Sequence, residues 1–99
     1  MVKSSEIIVM EMLELIQKEG GHPGTWCVGI TNEPRRRLFD EHQVHYHNDA
    51  WIYRAAASED EARRVKEYFL AYGLIGSAGR RLQDPCTVYA YRKSISTQP

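Results

Sequence analysis

The chain has 99 residues, 42% of them hydrophobic, and its thirteen basic and thirteen acidic side chains leave no formal net charge. This length suits a single domain, 1–99, with one core, and the apolar content excludes disorder as the default. Zero net charge excludes attraction of the whole molecule to nucleic acid or anionic lipid. Because no apolar run is long enough for a signal core or a membrane span, we expect a cytoplasmic protein without a membrane partner.

The first predicted element is a helix within the segment 1–21. Ser4 or Ser5 can cap its start, and Gly20 ends it just after Glu19. Its apolar residues cover more than one narrow stripe: Ile7, Ile8, Val9, Met10, Met12, Leu13, Leu15 and Ile16. A face this broad is either buried on two sides or shared with a second subunit, as in a homodimer.

A predicted core follows over 25–93. The run Trp26–Thr31 is apolar on both faces, which is typical of a central strand. Thr31 or Asn32 can cap a second helix that has Pro34 in its first turn and continues to about His42. A polar loop then leads to the next strand.

The second half of the core predicts a strand at Trp51–Ala57, a helix capped by Ser58 and ended by Gly73, and a last strand at Thr87–Lys93. The helix carries a buried stripe of Ala62, Val65, Phe69 and Tyr72. Residues 94–99 form a tail that we expect to fray. The predicted fold is therefore α+β: a small three-stranded mixed or antiparallel sheet with flanking helices, preceded by the extra N-terminal helix.

Residues Trp26 to His42 read Trp-Cys-Val-Gly-Ile-Thr-Asn-Glu-Pro-Arg-Arg-Arg-Leu-Phe-Asp-Glu-His. This stretch resembles the second half of the GIY-YIG nuclease core motif, which reads Tyr-Val-Gly-Ile-Thr, a few polar residues, Arg-Leu and a His. The segment Trp51-Ile52-Tyr53-Arg54, followed by Ser-Glu-Asp-Glu-Ala, looks like the third strand and the glutamate-bearing helix of that family. The resemblance covers residues 26–72 and implies the GIY-YIG fold and a metal-dependent endonuclease-like site.

In that family, sheet tyrosines, a helix arginine and a glutamate-bound divalent metal cut a phosphodiester. Arg37 matches the arginine of the motif. Arg36 is the alternative, because the spacing from Arg37 to His42 is one residue longer than in the motif. Cys27 stands where the motif has a tyrosine, and the upstream Gly-Ile-Tyr strand has no counterpart. Two roles are open for Tyr89 and Tyr91 of the last strand. Either this strand occupies the position of the missing strand in the sheet and its tyrosines supply a phenol to the site, or the tyrosines simply pack against a sheet face.

The metal position of the resemblance falls on Lys66, which repels Mg²⁺ and attracts phosphate. Glu67 is adjacent but points away from the buried stripe, and Glu61 lies at the edge of that stripe. The resemblance therefore implies a degenerate site that binds DNA or RNA without cutting it. If the protein does cut, Glu61 or Glu67 must hold Mg²⁺, Arg37 stabilises phosphate charge, and a last-strand tyrosine orients or deprotonates the nucleophile.

Three further groups of side chains are candidates for binding. Cations suited to nucleic-acid phosphates are Arg35, Arg36, Lys66, Arg80 and Arg81. The histidines His42, His45 and His47 form either a metal site or a pH-sensitive surface loop. The aromatic residues Trp26, Tyr46, Trp51 and Tyr53 either stack bases or pack in and around the core.

Two functions of different classes follow. The preferred one is a GIY-YIG-like domain that associates with nucleic acid, and the alternative is a protein-interaction module or homodimer that uses the N-terminal helix. Salt dependence separates them, because phosphate binding weakens steeply with added salt whereas an apolar interface does not.

Overall fold

The computed structural model describes residues 2–76 and 85–98. Within these ranges the helices are α1 (Ser5–Glu19) and α2 (Glu59–Tyr72), and the strands are β1 (Val2–Lys3), β2 (Trp26–Thr31), β3 (Trp51–Ala56), β4 (Ile75–Gly76) and β5 (Thr87–Arg92). A 3₁₀-helix spans Pro23–Thr25 and a π-helix spans Arg36–Glu41. The predicted α+β class is confirmed.

The strands form one mixed sheet with the order β1-β3-β5-β2-β4. The central strand β5 runs antiparallel to both β2 and β3, whereas the outer pairs β1-β3 and β2-β4 are parallel. The predicted count of three strands is wrong, because two short strands join the sheet: β1 pairs with β3, and β4 pairs with β2. Two residues are too few to produce a recognisable alternation. The three six-residue strands are those that the sequence predicts, with ends at Ala56 and Arg92 rather than one residue later.

Alternate residues of β5 separate the two faces of the sheet. Val88 and Ala90 pack with α1 and α2 in the larger core, which also buries Trp26. Tyr89 and Tyr91 point to the opposite face, as predicted, where a smaller apolar cluster holds Cys27, Leu38, Val44, Tyr89 and Tyr91. We call this second side the tyrosine face. The π-helix and the loop after it lie over it, because they supply Leu38 and Val44.

The two α-helices begin and end as their local sequences predict. Ser4 caps α1 by accepting a hydrogen bond from Ile7 N at 3.3 Å, and Ser58 caps α2 by accepting one from Glu61 N at 3.2 Å. Gly73 ends α2 with φ of 122°, a value that favours glycine. Tyr72 was predicted to be buried but is exposed, because it lies in the last turn of α2, beyond the core.

The helix predicted from Thr31 or Asn32 to His42 differs most from expectation. Thr31 Oγ1 accepts a hydrogen bond from Glu33 N at 3.0 Å at the turn into the helix, whereas Asn32 Oδ1 accepts one from Cys86 N at 3.2 Å and so holds the start of β5. The helix itself is of the π type. Among the described residues, no helix combines the length and the apolar character that a membrane crossing needs.

Candidate functional site

The π-helix determines which basic side chain reaches the tyrosine face. His42 N donates to Arg37 O at 2.9 Å, a bond between residues five apart rather than four. Arg37 and His42 are thereby separated by one helical turn, and both lie over the sheet. The five-residue spacing between Arg37 and His42 therefore corresponds to one wide turn.

Arg37 is the arginine of this site, because its side chain is only 13% exposed whereas that of Arg36 is 53% exposed. Arg37 Nη1 forms a short ion pair with Glu41 Oε1, and its guanidinium also hydrogen-bonds Tyr89. Burial lowers the pKa of Arg37, but the Glu41 and Tyr89 contacts more than compensate and raise it overall. The guanidinium therefore carries its charge at every physiological pH.

His42 lies at the centre of the tyrosine face and is 3% exposed. Its Nδ1 lies 2.5 Å from the backbone oxygen of Gln98, and its Nε2 lies 2.8 Å from Tyr89 Oη. Burial, opposed by the Gln98 contact, lowers the pKa of His42 below 6.5, so the ring is neutral at neutral pH. A carbonyl oxygen can only accept, so Nδ1 carries the proton and Nε2 accepts from the Tyr89 hydroxyl.

Tyr91 and Cys27 complete the cluster on the sheet side. Tyr91 Oη lies 3.2 Å from His42 Nδ1 and donates to Gln98 O at 3.4 Å, and its phenol also hydrogen-bonds Cys27. Burial raises the pKa of both the Tyr91 phenol and the Cys27 thiol. Both groups are therefore protonated at neutral pH, and Cys27 is not an activated nucleophile.

The tail belongs to this site as well, and the prediction that it frays is wrong for residues 94–98. Gln98 N donates to His42 O at 2.7 Å while Gln98 O accepts from the imidazole, so both backbone polar groups of one residue contact one histidine. Thr97 is buried next to them. The tail and the π-helix together enclose the hydroxyl groups of Tyr89 and Tyr91.

The remaining predicted residues fall in three places. Arg35 and Arg36 are exposed at the start of the π-helix, where Arg36 lies 3.4 Å from Glu33 and 3.5 Å from Glu41. Lys66, Glu61 and Glu67 lie on α2, which packs on the other face of the sheet. Arg80 and Arg81 lie outside the described residues.

His42 is the residue that sequence reasoning assigned wrongly. It was grouped with His45 and His47 as a metal site or surface loop, whereas it is buried and they are exposed. In the sequence, only one signal separated His42 from His45 and His47: His42 matches the histidine of the resembled motif. His45 and His47 stay in the loop, and within the described residues no three His, Cys, Asp or Glu side chains are placed to hold a metal ion.

The carboxylates proposed for Mg²⁺ do not fit a metal beside this cluster. Glu61 Oε2 is buried and has no hydrogen-bond partner among the described residues, but Glu61 and Glu67 belong to the helix on the opposite face of the sheet. Glu41, which lies on the tyrosine face, is engaged by Arg37. Mg²⁺ sites need at least one or two free carboxylates.

The cluster offers a neutral imidazole that accepts a hydrogen bond from the Tyr89 hydroxyl, beside a fixed guanidinium charge. The two phenols are fully buried, so the groups of the site that meet solvent are Arg37 and Glu41, in part, and the neighbouring Arg36. The two arginines can bind an anionic oxygen at this edge, while Glu41 and Tyr89 hold the Arg37 guanidinium in position. Comparison of the chain with protein families, with curated proteins and with solved structures found no match.

Proposed function

We propose that this protein is a GIY-YIG-like nucleic-acid-binding domain that contacts phosphates through Arg36 and Arg37. One observation carries the proposal: Arg37, His42 and Tyr89 lie together on one face of the sheet, although the π-helix and β5 are far apart in sequence. A guanidinium held by a carboxylate and a phenol loses little freedom on binding phosphate. Arg36, more exposed and only loosely held, adds a second cation beside it.

The strand arrangement supports the GIY-YIG likeness. β2 ends in Gly-Ile-Thr and leads directly to the arginine-bearing helix, while β5 lies antiparallel between β2 and β3. Tyr89 thus contributes a phenol beside Arg37, although Cys27 occupies the place of the motif tyrosine. The wider π turn also accounts for the extra residue between Arg37 and His42.

Binding rather than cleavage is proposed because of what surrounds the phenols. Tyr89 and Tyr91 are fully buried, and their hydroxyl groups are already bonded to His42, Gln98 and Cys27. A nucleophile cannot reach a phenol that the π-helix and tail enclose. The carboxylates expected to hold a metal lie on α2, across the sheet.

The test is equilibrium binding of labelled single-stranded and duplex DNA and RNA at about 50 mM salt. We expect Arg36→Gln and Arg37→Gln each to weaken binding by about tenfold. Arg63→Gln is the matched control, because Arg63 also pairs with a carboxylate one turn away, Glu59, but lies on α2. It should change affinity by less than about twofold.

Two results would contradict the proposal. Absence of binding to every nucleic acid at low salt removes the function altogether, and equal losses in Arg63→Gln and Arg36→Gln remove the assignment to this face. The same samples are incubated with Mg²⁺ and with Mn²⁺. Cleavage by the wild type that disappears in Arg37→Gln would show that the protein also cuts nucleic acid and does not only bind it.

A specific observation also favours the alternative function, a homodimer through α1. Ile7 and Met10 on α1 are exposed, and an apolar groove of about 340 Å³ between α1 and α2 is lined by Val9, Met10 and Tyr68. Light scattering over a range of concentrations, with Met10→Glu as the variant, tests it. A dimer that dissociates in Met10→Glu supports this function, and a monomer at all concentrations removes it.

A further inference from the structure

Three aromatic rings form a row on the tyrosine face. We call Tyr46, Trp51 and Tyr53 the aromatic row. The ring centroids of Tyr46 and Trp51 are 5.1 Å apart, and those of Trp51 and Tyr53 are 6.0 Å apart with planes only 16° from parallel. Trp51 and Tyr53 are alternate residues of β3, so both side chains point to this face, while Ile52 between them and Arg54 after them point to the helix side, where Arg54 pairs with Glu11 of α1.

The row is held in place from one side. Phe39 of the π-helix contacts Trp51 edge to face at 5.1 Å and Tyr46 at 5.6 Å, and Trp51 Nε1 donates to the backbone oxygen of Tyr46 at 2.9 Å. A platform that is already ordered costs less conformational entropy to use in binding than one that must first form.

The row lies at the edge of the smaller apolar cluster, against which Trp51 and Tyr53 pack. Tyr46 is 52% exposed, and Trp51 and Tyr53 are each only partly buried. Trp26 shows the contrast: it is fully buried on the other face, and its Nε1 donates to Gly20 O. Of the four aromatic residues considered for base stacking, Trp26 is thus a core residue, and the other three share one accessible surface.

The row lies next to the proposed phosphate contacts. Across the β3-β5 pair, Trp51 is opposite Tyr91 and Tyr53 is opposite Tyr89, whose phenol contacts Arg37. Cations for phosphates and flat rings for bases therefore occur side by side on one surface. This combination is what binds single-stranded nucleic acid, because a duplex keeps its bases stacked inside and presents only phosphates and groove edges.

We infer that the aromatic row stacks unpaired bases of a strand whose phosphates contact Arg36 and Arg37, so that the partner is single-stranded DNA or RNA. This inference rests on the proposed function and adds the class of nucleic acid. Stacking does not read sequence, since every base has an aromatic face, so binding should tolerate different sequences. The ribose hydroxyl decides between DNA and RNA, and parallel DNA and RNA probes measure that preference.

The experiment compares single-stranded oligonucleotides with a hairpin duplex of matched length. Tyr46→Ser and Tyr53→Leu should each weaken single-strand binding by at least about fivefold and change duplex binding by less than about twofold. Tyr68→Ser is the matched control, because Tyr68 is exposed and stacks on Tyr72 at 6.3 Å, but on α2 across the sheet. Tyr46 is exposed enough for its variant to keep the fold.

A second readout comes from fluorescence. Bases stacked on the row should quench tryptophan emission on binding, and Trp51→Phe should abolish that quenching because Trp26 is inaccessible. Single-strand affinity that survives Tyr46→Ser and Tyr53→Leu, while Arg36→Gln still weakens it, would overturn the inference and leave the proposed function intact. Absence of binding to any probe would overturn both.

Discussion

At the scale of single residues, the site depends on His42. One imidazole accepts from Tyr89, donates to Gln98 O and lies close to Tyr91, so it joins the π-helix, the central strand and the tail. Such a group is fixed in one tautomer by its neighbours, since a carbonyl and a hydroxyl on opposite sides specify which nitrogen carries the proton. Its protonation state therefore affects all three segments together.

We expect stability to fall as His42 becomes protonated. Its folded pKa is lowered below 6.5, so the unfolded chain takes up a proton first as the pH falls. The contribution of neutral His42 to the free energy of unfolding is thus complete above the unfolded pKa. It is lost as the pH drops from about 6.5 toward the folded pKa, by at most about 1.4 kcal/mol per pH unit. Arg37 and Glu41 face the ring from its own helix, and their charges act on the pKa of His42 in opposite directions: Arg37 lowers it and Glu41 raises it.

Denaturant unfolding between about pH 7.5 and about pH 5.5 measures this effect. His42→Asn keeps a donor toward Gln98 O but does not titrate, so its stability should depend less on pH than that of the wild type. His45→Asn is the control, because His45 is exposed, and it should retain the wild-type dependence. Equal pH dependence in the wild type and His42→Asn would mean that His42 does not protonate differently on unfolding.

The sequence identified most residues of the site but not their environment. The alternation of β5 was sufficient to place Tyr89 and Tyr91 on one face, because successive side chains of a regularly paired strand point to opposite faces. The sequence matched Arg37 to the motif arginine and kept Arg36 as the alternative, because the choice depends on whether the turn is α or π, a difference in hydrogen bonding that composition does not encode. His42 was assigned to the surface because polar residues surround it in sequence, whereas its burial comes from Tyr89, Tyr91 and Gln98, which are distant in the chain.

At the scale of elements, the π-helix sets the spacing between Arg37 and His42. Each residue of an α-helix turns the chain by about 100°, so side chains five positions apart would point in different directions. The wider turn over Arg36–Glu41 places Arg37 and His42 on the same face, and Leu38 and Val44 both reach the apolar cluster. This accounts for an Arg-to-His spacing that does not match the resembled motif although the two side chains are neighbours.

Deleting Asp40 should therefore be tolerated. Asp40 is exposed, and its removal lets the π turn relax to an α turn with His42 still one turn after Arg37, so we expect a loss of about 1 kcal/mol or less in unfolding free energy. Deletion of Arg63, equally exposed but within α2, is the control. It rotates Val65 and Phe69 out of the core and should cost more than about 3 kcal/mol. Similar losses in the two deletions would refute this interpretation of the π turn.

The tail acts as a cover for the imidazole. Removing residues 94–99 takes away the Gln98 contacts and should make His42 accessible to diethyl pyrocarbonate, which modifies exposed imidazoles. In the intact protein His42 should react at least about tenfold more slowly than His45 and His47, which serve as internal standards in peptide mass spectrometry. A truncated protein in which His42 stays unreactive would show that the π-helix alone encloses it.

The sequence could predict elements of normal length but not the short ones. Ser4, Ser58, Gly20 and Gly73 delimit α1 and α2 through local chemistry, which is readable in a single sequence. β1 and β4 exist only because β3 and β2 offer them free edges, so their two residues carry no signal of their own. The tail likewise has a polar sequence, and its order comes from His42.

At the scale of the whole molecule, charge is balanced but unevenly distributed. Zero net charge gives no long-range attraction to nucleic acid, so binding must depend on the local pair Arg36 and Arg37. Two phosphate contacts on a single strand predict a slope of about −1.4 for the logarithm of affinity against the logarithm of salt concentration. Titrations at several salt concentrations measure the slope. A value near zero would indicate that phosphates are not contacted, and a much steeper one would require cations elsewhere.

The position of β5 at the centre of the sheet also has a consequence for folding during synthesis on the ribosome. β2 and β3 never pair with each other, so without β5 the sheet falls into two separate pairs, β1-β3 and β2-β4, each ending in a two-residue strand. A ribosome releases the strands in chain order, and β5 emerges after both of its partners. The nascent chain must therefore wait with its apolar strand surfaces uncovered until residue 92 has left the exit tunnel. We expect chaperone binding and proteolysis to act mainly on this interval, and a chain truncated before β5 should not form this sheet.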